Sequence, residues 1–188
     1  LLHRAARLGT DAVVAEVMSI HAENHAVEGR RIFVPHVVLA TNFFVDHTEA
    51  QGETPEDVGA VLALSVPESA TVFVPQGTCP TSFREGVADA GATLVEVAVG
   101  TAAGLEPEPP ARDGDALPAL GPDPVPPTFS ENLDLVVAAA RYLGVGDDAL
   151  RRGIANARQD IGALCVWPVP VEPGAGPTDR GPSRALLV

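Results

Sequence analysis

The sequence predicts an α/β protein with a mostly parallel sheet and helices on both of its faces. Four runs of apolar, often β-branched residues in the first hundred positions have the length of strands and little polar alternation. Segments with helical spacing separate these runs. Strands that are apolar on both faces and alternate with helices are typical of a parallel sheet, because the connecting helices cover it on both sides.

The N-terminal quarter predicts a helix, a strand, a second helical segment and a second strand. The run LLHRAARLG has apolar residues at helical spacing and stops at Gly9. The run DAVVAEVM (11–18) has strand length and leads into a loop and helix over 19–33. The second predicted strand is HVVLATN (36–42).

The next segment predicts two further strands with helices before them. Thr54 is a candidate N-cap, and Pro55 stands at the first helical position of a predicted helix. TVFVP (71–75) and ATLVEVAV (92–99) are strand candidates, and the short predicted helix between them is closed by Gly91.

The pattern divides the chain into residues 1–99, 100–127 and 128–188. Residues 100–127 are rich in Pro, Gly and acidic residues, which predicts a mobile loop or linker. Order resumes with a helix that ends at Gly144 and a second helix over 146–157. The predicted apolar face of the first helix consists of Leu133, Val136, Val137, Ala140 and Leu143. The C-terminal RALLV predicts the start of a strand with further chain after it.

Composition excludes several classes of function. A net charge of -13 disfavours nucleic acid and anionic membrane surfaces as partners. All 12 basic residues are Arg, so Schiff-base chemistry and a P-loop lysine are excluded for this chain. No Ser or Cys lies in a GxSxG-type nucleophile elbow, which disfavours a hydrolase. The two distant cysteines and the lack of a long apolar run predict a soluble protein of the reducing cytoplasm.

Polar residues follow the predicted strand 36–42 where a parallel sheet places its ligands. Asn42, Asp46 and His47 lie in that loop, and Glu16 lies near the carboxyl end of the preceding predicted strand. A carboxylate, an imidazole and water form a suitable shell for Mg²⁺ or Mn²⁺. The alternative interpretation is that Glu16 has a structural role and that His47 is an ordinary loop histidine, with neither residue binding a metal.

The segment TNFFVDHTEAQGETPEDV resembles the Mur ligase superfamily, in which Thr-Asn ends a strand and an Asp-His run follows. DAVVAEVMSI is similar to that superfamily's strand with a metal-binding glutamate. Within the superfamily, the ATP-dependent ligase subunits of poly-γ-glutamate synthase, which act in capsule biosynthesis, are the nearest likeness. ENLDLVVAAARYLGV with ALRRGIANA, and QDIGALCVWPV, complete that likeness.

The resemblance implies a role for each matching residue. Glu16 and His47 match ligands of a divalent ion, Mg²⁺ or Mn²⁺, between the ATP phosphates and an acyl-phosphate. Asn132 matches the asparagine at the adenine base, and Asp160 lies where the family has a loop near the nucleotide. Asn42 and Asp46 would shape the metal loop, with Asp46 as a hydrogen-bonding partner rather than a ligand. His21, His25 and His36 are expected to be surface or structural residues.

The resemblance also implies a reaction and partners. ATP would activate a carboxylate as an acyl-phosphate, and an amine would then form an amide, with glutamate or poly-γ-glutamate as substrates. The enzyme would be cytoplasmic. It would associate with the membrane either through membrane-protein partners in a synthase complex or through a segment before residue 1. The family's phosphate loop would precede residue 11 and is not in this sequence, so this middle portion alone is expected to be inactive. The alternative is a non-catalytic homologue or accessory domain that has lost the P-loop.

Overall fold

The computed structural model describes residues 2–105 and 130–157. Their helices alternate with three short strands, one fewer than the sequence predicts for the first hundred residues. A π-helical segment, Glu28–Phe33, continues directly from the second helix. The elements are α1 (Leu2–Arg7), α2 (Ala22–Val27), β1 (Val37–Leu39), α3 (Thr48–Gln51), α4 (Pro55–Ala63), β2 (Thr71–Pro75), α5 (Thr81–Asp89), β3 (Thr93–Val97), α6 (Ser130–Tyr142) and α7 (Asp147–Asn156).

The three strands form one parallel sheet in the order β1-β2-β3. Val38 of β1 pairs with Val72 of β2, and Val72 pairs with Leu94 of β3. All five residues of the central strand β2 are buried. The predicted parallel α/β architecture is therefore confirmed, and the carboxyl ends of the described strands lie at one edge of the sheet.

Alternate side chains of β2 enter two separate apolar cores. Val72 and Val74 pack in a cluster with residues of α4 and α5, among them Ala63 and Phe83. Phe73 points to the other face, where it packs with Leu135 and other residues of α6. This alternation follows from the two-residue period of a strand. Helices cover both faces of the sheet, as the apolar strands predict.

Helices α4 and α5 approach closely because small residues lie between them. A Cβ added to Gly59 would lie 2.7 Å from the Ser82 Oγ, and one added to Gly86 would lie 2.5 Å from the Ala63 Cβ. Helix α4 begins with the predicted cap: the Thr54 hydroxyl accepts a hydrogen bond from the Asp57 N–H, and Pro55 is the first helical residue. The predicted start of α4 is thus confirmed.

The carboxylate of Glu56 caps the start of α5 from a neighbouring helix. Pro80, the N-cap of α5, has no side chain that can accept a hydrogen bond. The two Glu56 carboxylate oxygens instead accept hydrogen bonds from the N–H groups of Thr81 (3.1 Å) and Ser82 (2.8 Å). The Ser82 hydroxyl donates back to the Glu56 carbonyl oxygen at 2.6 Å. A carboxylate at a helix N-terminus also interacts favourably with the helix dipole.

The π-helical segment is fastened to the end of α4. Gly29 lies so close to Ser65 that a Cβ there would be 1.8 Å from the Ser65 carbonyl oxygen. The Arg30 guanidinium donates to the carbonyl oxygens of Val66 (2.9 Å) and Ala63 (3.3 Å). A cation that satisfies carbonyl groups at a helix C-terminus is stabilising. This contact fixes the segment that leads into β1.

Residues 11–18 do not form the predicted strand. Residues 12–20 have no regular secondary structure, and Val14 (98% exposed) and Met18 (76% exposed) face solvent. A strand needs a neighbour for its backbone hydrogen bonds, and within residues 2–105 and 130–157 this run pairs with none. Composition alone therefore predicted a strand that the described sheet does not contain.

The predicted apolar face of α6 is partly wrong. Leu133 and Val137 are buried as predicted, but Val136 (49% exposed) and Leu143 (60% exposed) are not. Leu135 is buried instead, because α6 packs on the sheet on one side and on α7 and residues 102–105 on the other. A helix held between two layers buries two stripes rather than one.

Part of the predicted loop 100–127 belongs to a core. Residues 100–105 form turns, and Ala102 and Leu105 are buried against α6 and α7. Residues 106–127 and 158–188 lie outside the described part of the chain, and so do Asp160, Cys165 and the predicted C-terminal strands. The division into 1–99, 100–127 and 128–188 stays a prediction. None of the described helices has the length and apolar character needed to cross a membrane.

His25 makes the stability of the fold depend on pH. It is buried (2% exposed), and neither ring nitrogen has a hydrogen-bond partner in the described part of the chain. Burial lowers the pKa of His25 below 6.5, and the nearby Glu28 opposes this effect. Since the unfolded chain binds the proton more tightly, the folded state loses stability as pH falls through 6.5 toward the lowered pKa.

We expect urea unfolding to show this loss as pH falls through 6.5, with a slope of at most about 1.4 kcal/mol per pH unit. His25→Leu should remove that slope, whereas His36→Leu, which changes an exposed histidine, should keep it. An equal slope in all three proteins would show that the buried His25 is not its source.

Glu56→Gln should lower the melting temperature near neutral pH, because an amide is a weaker acceptor than a carboxylate for the two N–H groups of α5. Those hydrogen bonds lower the pKa of Glu56 below 4.5, so their stabilisation is present above that pH and is lost as pH falls. The difference between variant and parent should therefore shrink toward pH 4.5 and below. The control is Glu85→Gln on the exposed side of α5, and a loss of equal size there would contradict the capping role.

Candidate functional site

Three turns meet at the carboxyl ends of the strands, and we call them the carboxyl edge. Residues 40–47 follow β1, residues 76–79 follow β2, and residues 98–102 follow β3. In a parallel sheet, strand spacing is about 4.8 Å, so the ends of β1 and β3 are about 10 Å apart. Loops at this edge are where open α/β sheets bind ligands.

The loop after β1 is folded by its own side chains. The Asn42 Oδ1 accepts a hydrogen bond from the Phe44 N–H at 3.1 Å, and the Asp46 Oδ1 accepts one from the His47 N–H at 2.8 Å. Phe43 is buried and packs edge-on against Phe83, with ring centroids 4.9 Å apart. Phe43 was not identified from the sequence, because it lies in a loop where neither the strand period nor the helix period marks a residue as buried.

His47 stands in an unfavourable backbone conformation with its imidazole exposed. Its φ of 48° and ψ of 51° lie in the left-handed region, which non-glycine residues adopt at a cost. The Asp46 Oδ2 lies 3.7 Å from the His47 Nε2, and 48% of the His47 side chain is exposed. A strained residue with an accessible imidazole at a ligand-binding edge is a candidate for function.

Glu16 is not brought to His47 by any contact in the described residues. It lies in the exposed segment 12–20 and forms no hydrogen bond or ion pair with the part of the chain described here. No cluster of three or more His, Cys, Asp or Glu side chains in that part could hold a metal. The available donors, an exposed imidazole and an exposed carboxylate, suit only an ion that keeps most of its water, as Mg²⁺ does.

Asn132 lies at the same edge because α6 runs antiparallel to the strands. Near the start of α6, the Asp134 carboxylate contacts Gly100, just after β3. At its end, the Tyr142 hydroxyl and the Thr71 Oγ1, at the start of β2, are 2.9 Å apart. The first turn of α6, which contains the half-buried Asn132, is therefore near the carboxyl edge.

The turn after β2 is held by a charged pair that the sequence analysis did not identify. The Arg84 guanidinium donates to the Glu96 carboxylate, and the second Glu96 oxygen accepts a hydrogen bond from the Gly77 N–H at 3.3 Å. Arg84 lowers the pKa of Glu96, and Glu96 raises the pKa of Arg84. Burial raises the pKa of the nearby Cys79 thiol, which disfavours a thiolate nucleophile.

A shallow depression of about 700 Å³ lies at the opposite, amino edge of the sheet. Arg30, Glu68, Ser69 and Asp89 contribute its polar groups. It contains none of the predicted site residues. Arg30 there already donates to the carbonyl groups at the end of α4, so the carboxyl edge is the better candidate for a ligand site.

Comparisons with known proteins agree with the resemblance described from the sequence. No family model matches the chain. The chain is 24% identical over 166 residues to a capsule biosynthesis protein, CapB, of Bacillus anthracis, and 20% identical over 168 residues to the poly-γ-glutamate (PGA) synthase CapB of Bacillus subtilis. These matches cover 88% of this chain but only 33% and 39% of the relatives, so the chain spans between about a third and two fifths of their length.

Solved structures show the same fold. A point mutant of L. casei FPGS matches with a TM-score of 0.60 and 14% identity over 90% of this chain and 44% of that one. E. coli FolC, solved with DHPP and ADP, matches with a TM-score of 0.51 and 23% identity over 70% of this chain and 32% of that one. The chain is thus similar in sequence to two CapB capsule biosynthesis proteins and has the fold of the Mur ligase superfamily.

Proposed function

We propose that the chain forms the central part of an ATP-dependent amide ligase. The complete protein would activate a carboxylate as an acyl-phosphate and join it to the amino group of an amino acid. The observation that carries this proposal is the arrangement at the carboxyl edge. There, the strained, exposed His47 follows β1, and the first turn of α6, with Asn132, lies beside the end of β3.

A divalent cation is the first requirement of such a site. Glu16 and His47 would hold Mg²⁺ or Mn²⁺, and the ion would neutralise charge on the phosphates during transfer. Asp46 would orient His47 through its contacts with the His47 N–H and imidazole. Asn42 would keep the loop in shape through its hydrogen bond with Phe44.

The charge of the carboxyl edge supports dependence on a cation. Asp46 lies in its turns, Glu96 and Asp134 accept hydrogen bonds from them, and Glu56 contacts the start of α5 directly after the turn 76–79. Arg84 also lies near this edge, but Glu96 already neutralises it. Nucleotide phosphates would be repelled here unless a divalent ion accompanied them.

The nucleotide would lie between the metal loop and α6. Asn132 would contact the adenine base, since a side-chain amide can donate to and accept from adenine at the same time. Asp160 would lie in a loop near the nucleotide. FolC solved with ADP and an FPGS–AMPPCP complex, whose TM-score with this chain is 0.58, show that proteins of this fold bind adenine nucleotides.

The names of the relatives suggest the substrate. One is a PGA synthase and the other a capsule biosynthesis protein, so glutamate and the growing poly-γ-glutamate are the substrates we propose. Because the reaction consumes ATP, we place the protein in the cytoplasm. Membrane proteins of a synthase complex would be its partners.

Calorimetric titration of ATP with Mg²⁺ into the complete protein encoded by the gene tests this proposal. We expect binding that disappears when the metal is chelated and that weakens about tenfold or more in His47→Ala. His36→Ala, an exposed histidine before β1, is the matched control and should bind normally. Absence of binding in the unmodified protein would instead support a non-catalytic homologue or accessory domain.

His47→Gly should raise stability while it weakens Mg²⁺·ATP binding. Glycine removes a left-handed strain of about 1–2 kcal/mol, although its greater freedom in the unfolded chain offsets about 0.5–1 kcal/mol. The net gain in unfolding free energy, measured in urea, should therefore be up to about 1.5 kcal/mol. His47→Ala keeps the strain and should show no gain. A His47→Gly protein that binds normally would show that the imidazole has no role in the site.

A further inference from the structure

Asp134 is a buried carboxylate whose hydrogen-bond partners are backbone groups. It is 4% exposed, and it accepts hydrogen bonds from the N–H groups of Gly100 (2.8 Å) and Ala102 (2.7 Å). No Arg or His pairs with it in the described residues. Since an uncompensated buried charge is costly, these two short, charge-assisted hydrogen bonds are what allow a carboxylate at this position.

The turn after β3 is shaped to receive this carboxylate. Gly100 has a φ of 85°, a left-handed conformation, and the N–H groups of Gly100 and Ala102 both reach this carboxylate. Ala102 and Leu105 then pack against Leu133 and Val137 of α6. The contact thus combines two directional hydrogen bonds with an apolar core.

The apolar contacts alone do not fix the position of α6 along its axis. They are non-directional and would allow a small shift of the helix. Two hydrogen bonds to the Asp134 carboxylate fix the first turns of α6 against the end of β3, while Tyr142 and Thr71 hold its other end. Asn132 lies two residues before Asp134, about 3 Å along the helix axis. The register that Asp134 sets is therefore also the position of Asn132 at the carboxyl edge.

We propose that Asp134 is a positioning residue for nucleotide selection: by fastening the first turns of α6 to the Gly100–Ala102 turn, it sets where Asn132 meets the base. This inference rests on the proposed function and extends it to a residue that does not itself contact the nucleotide. This role requires both oxygen atoms of the Asp134 carboxylate as acceptors and does not depend on the volume of the side chain.

Arg141 provides a matched comparison on the same helix. Its guanidinium donates to the Thr101 carbonyl oxygen at 3.1 Å and to the Asp147 carboxylate at 3.0 Å. It therefore braces the same turn, but it lies nine residues from Asn132, about 13.5 Å along the helix. Comparing variants of Asp134 and Arg141 therefore distinguishes a positioning residue from a residue that only stabilises the turn.

The test compares Asp134→Asn with Arg141→Gln in the complete protein. For each variant, dissociation constants are measured for Mg²⁺·ATP and Mg²⁺·GTP, and hydrogen exchange is measured for residues 98–105. We expect Asp134→Asn to speed exchange at Gly100 and Ala102 and to weaken ATP binding about tenfold. Its ATP-to-GTP preference should fall toward that of Asn132→Ala. The double variant, Asp134→Asn with Asn132→Ala, should lose no more of that preference than Asn132→Ala alone. Arg141→Gln should lower stability and leave the ATP-to-GTP preference unchanged.

An unchanged preference in Asp134→Asn, with reduced stability, would overturn the positioning role. If Asp134→Asn does not fold, Asp134→Glu serves in its place, since it keeps the charge and shifts the carboxylate by one methylene; an unchanged preference there would again overturn the proposal. An unmodified protein that binds no nucleotide would overturn the proposed function and this role together. The exchange data would still show whether Asp134 holds the turn.

Discussion

The burial of β2 is the constraint on which the rest of the described structure depends. All five of its residues are buried, and its alternate side chains enter cores formed by α4 and α5 on one face and by α6 on the other. Because β1 and β3 pair with it in parallel, the turns that follow the three strands meet at one edge. The candidate site therefore results from the common direction of the strands, which brings together residues that are far apart in the sequence.

At that edge and at the starts of α4 and α5, backbone N–H groups are already matched with the protein's own carboxylates. Each of five acidic side chains accepts from N–H groups of a turn or helix start, namely Asp46 from His47, Glu56 from Thr81 and Ser82, Asp57 from Glu53 and Thr54, Glu96 from Gly77, and Asp134 from Gly100 and Ala102. These contacts order the turns and helix starts and occupy the N–H groups named above. An acidic edge of this kind favours ligands that arrive with a divalent cation.

Local signals predicted much of this fold, and contacts between distant residues account for what they missed. Features that depend on adjacent residues could be predicted from the sequence. These are the Thr54 cap, the left-handed Gly91 and Gly144, and the apolar strand β2. The exposed run 11–18 has strand composition but no described partner, and the roles of Glu56 and Asp134 depend on groups 25 to 34 residues away. The Asp-His loop does follow a strand. The metal-binding role of Glu16 and His47, inferred from strand-end placement and from family resemblance, and the roles of Asn132 and Asp160, inferred from resemblance alone, stay predictions.

Photolabelling with 8-azido-ATP tests most directly whether the carboxyl edge binds the nucleotide. The complete protein would be irradiated with Mg²⁺ and the label, and the modified peptide would be identified by mass spectrometry. We predict labelling in the first turns of α6, near Asn132, that unlabelled ATP prevents and that requires the metal. Labelling at the amino edge instead, around Glu68 or Asp89, would contradict the account, because those residues lie at the opposite ends of the strands from His47.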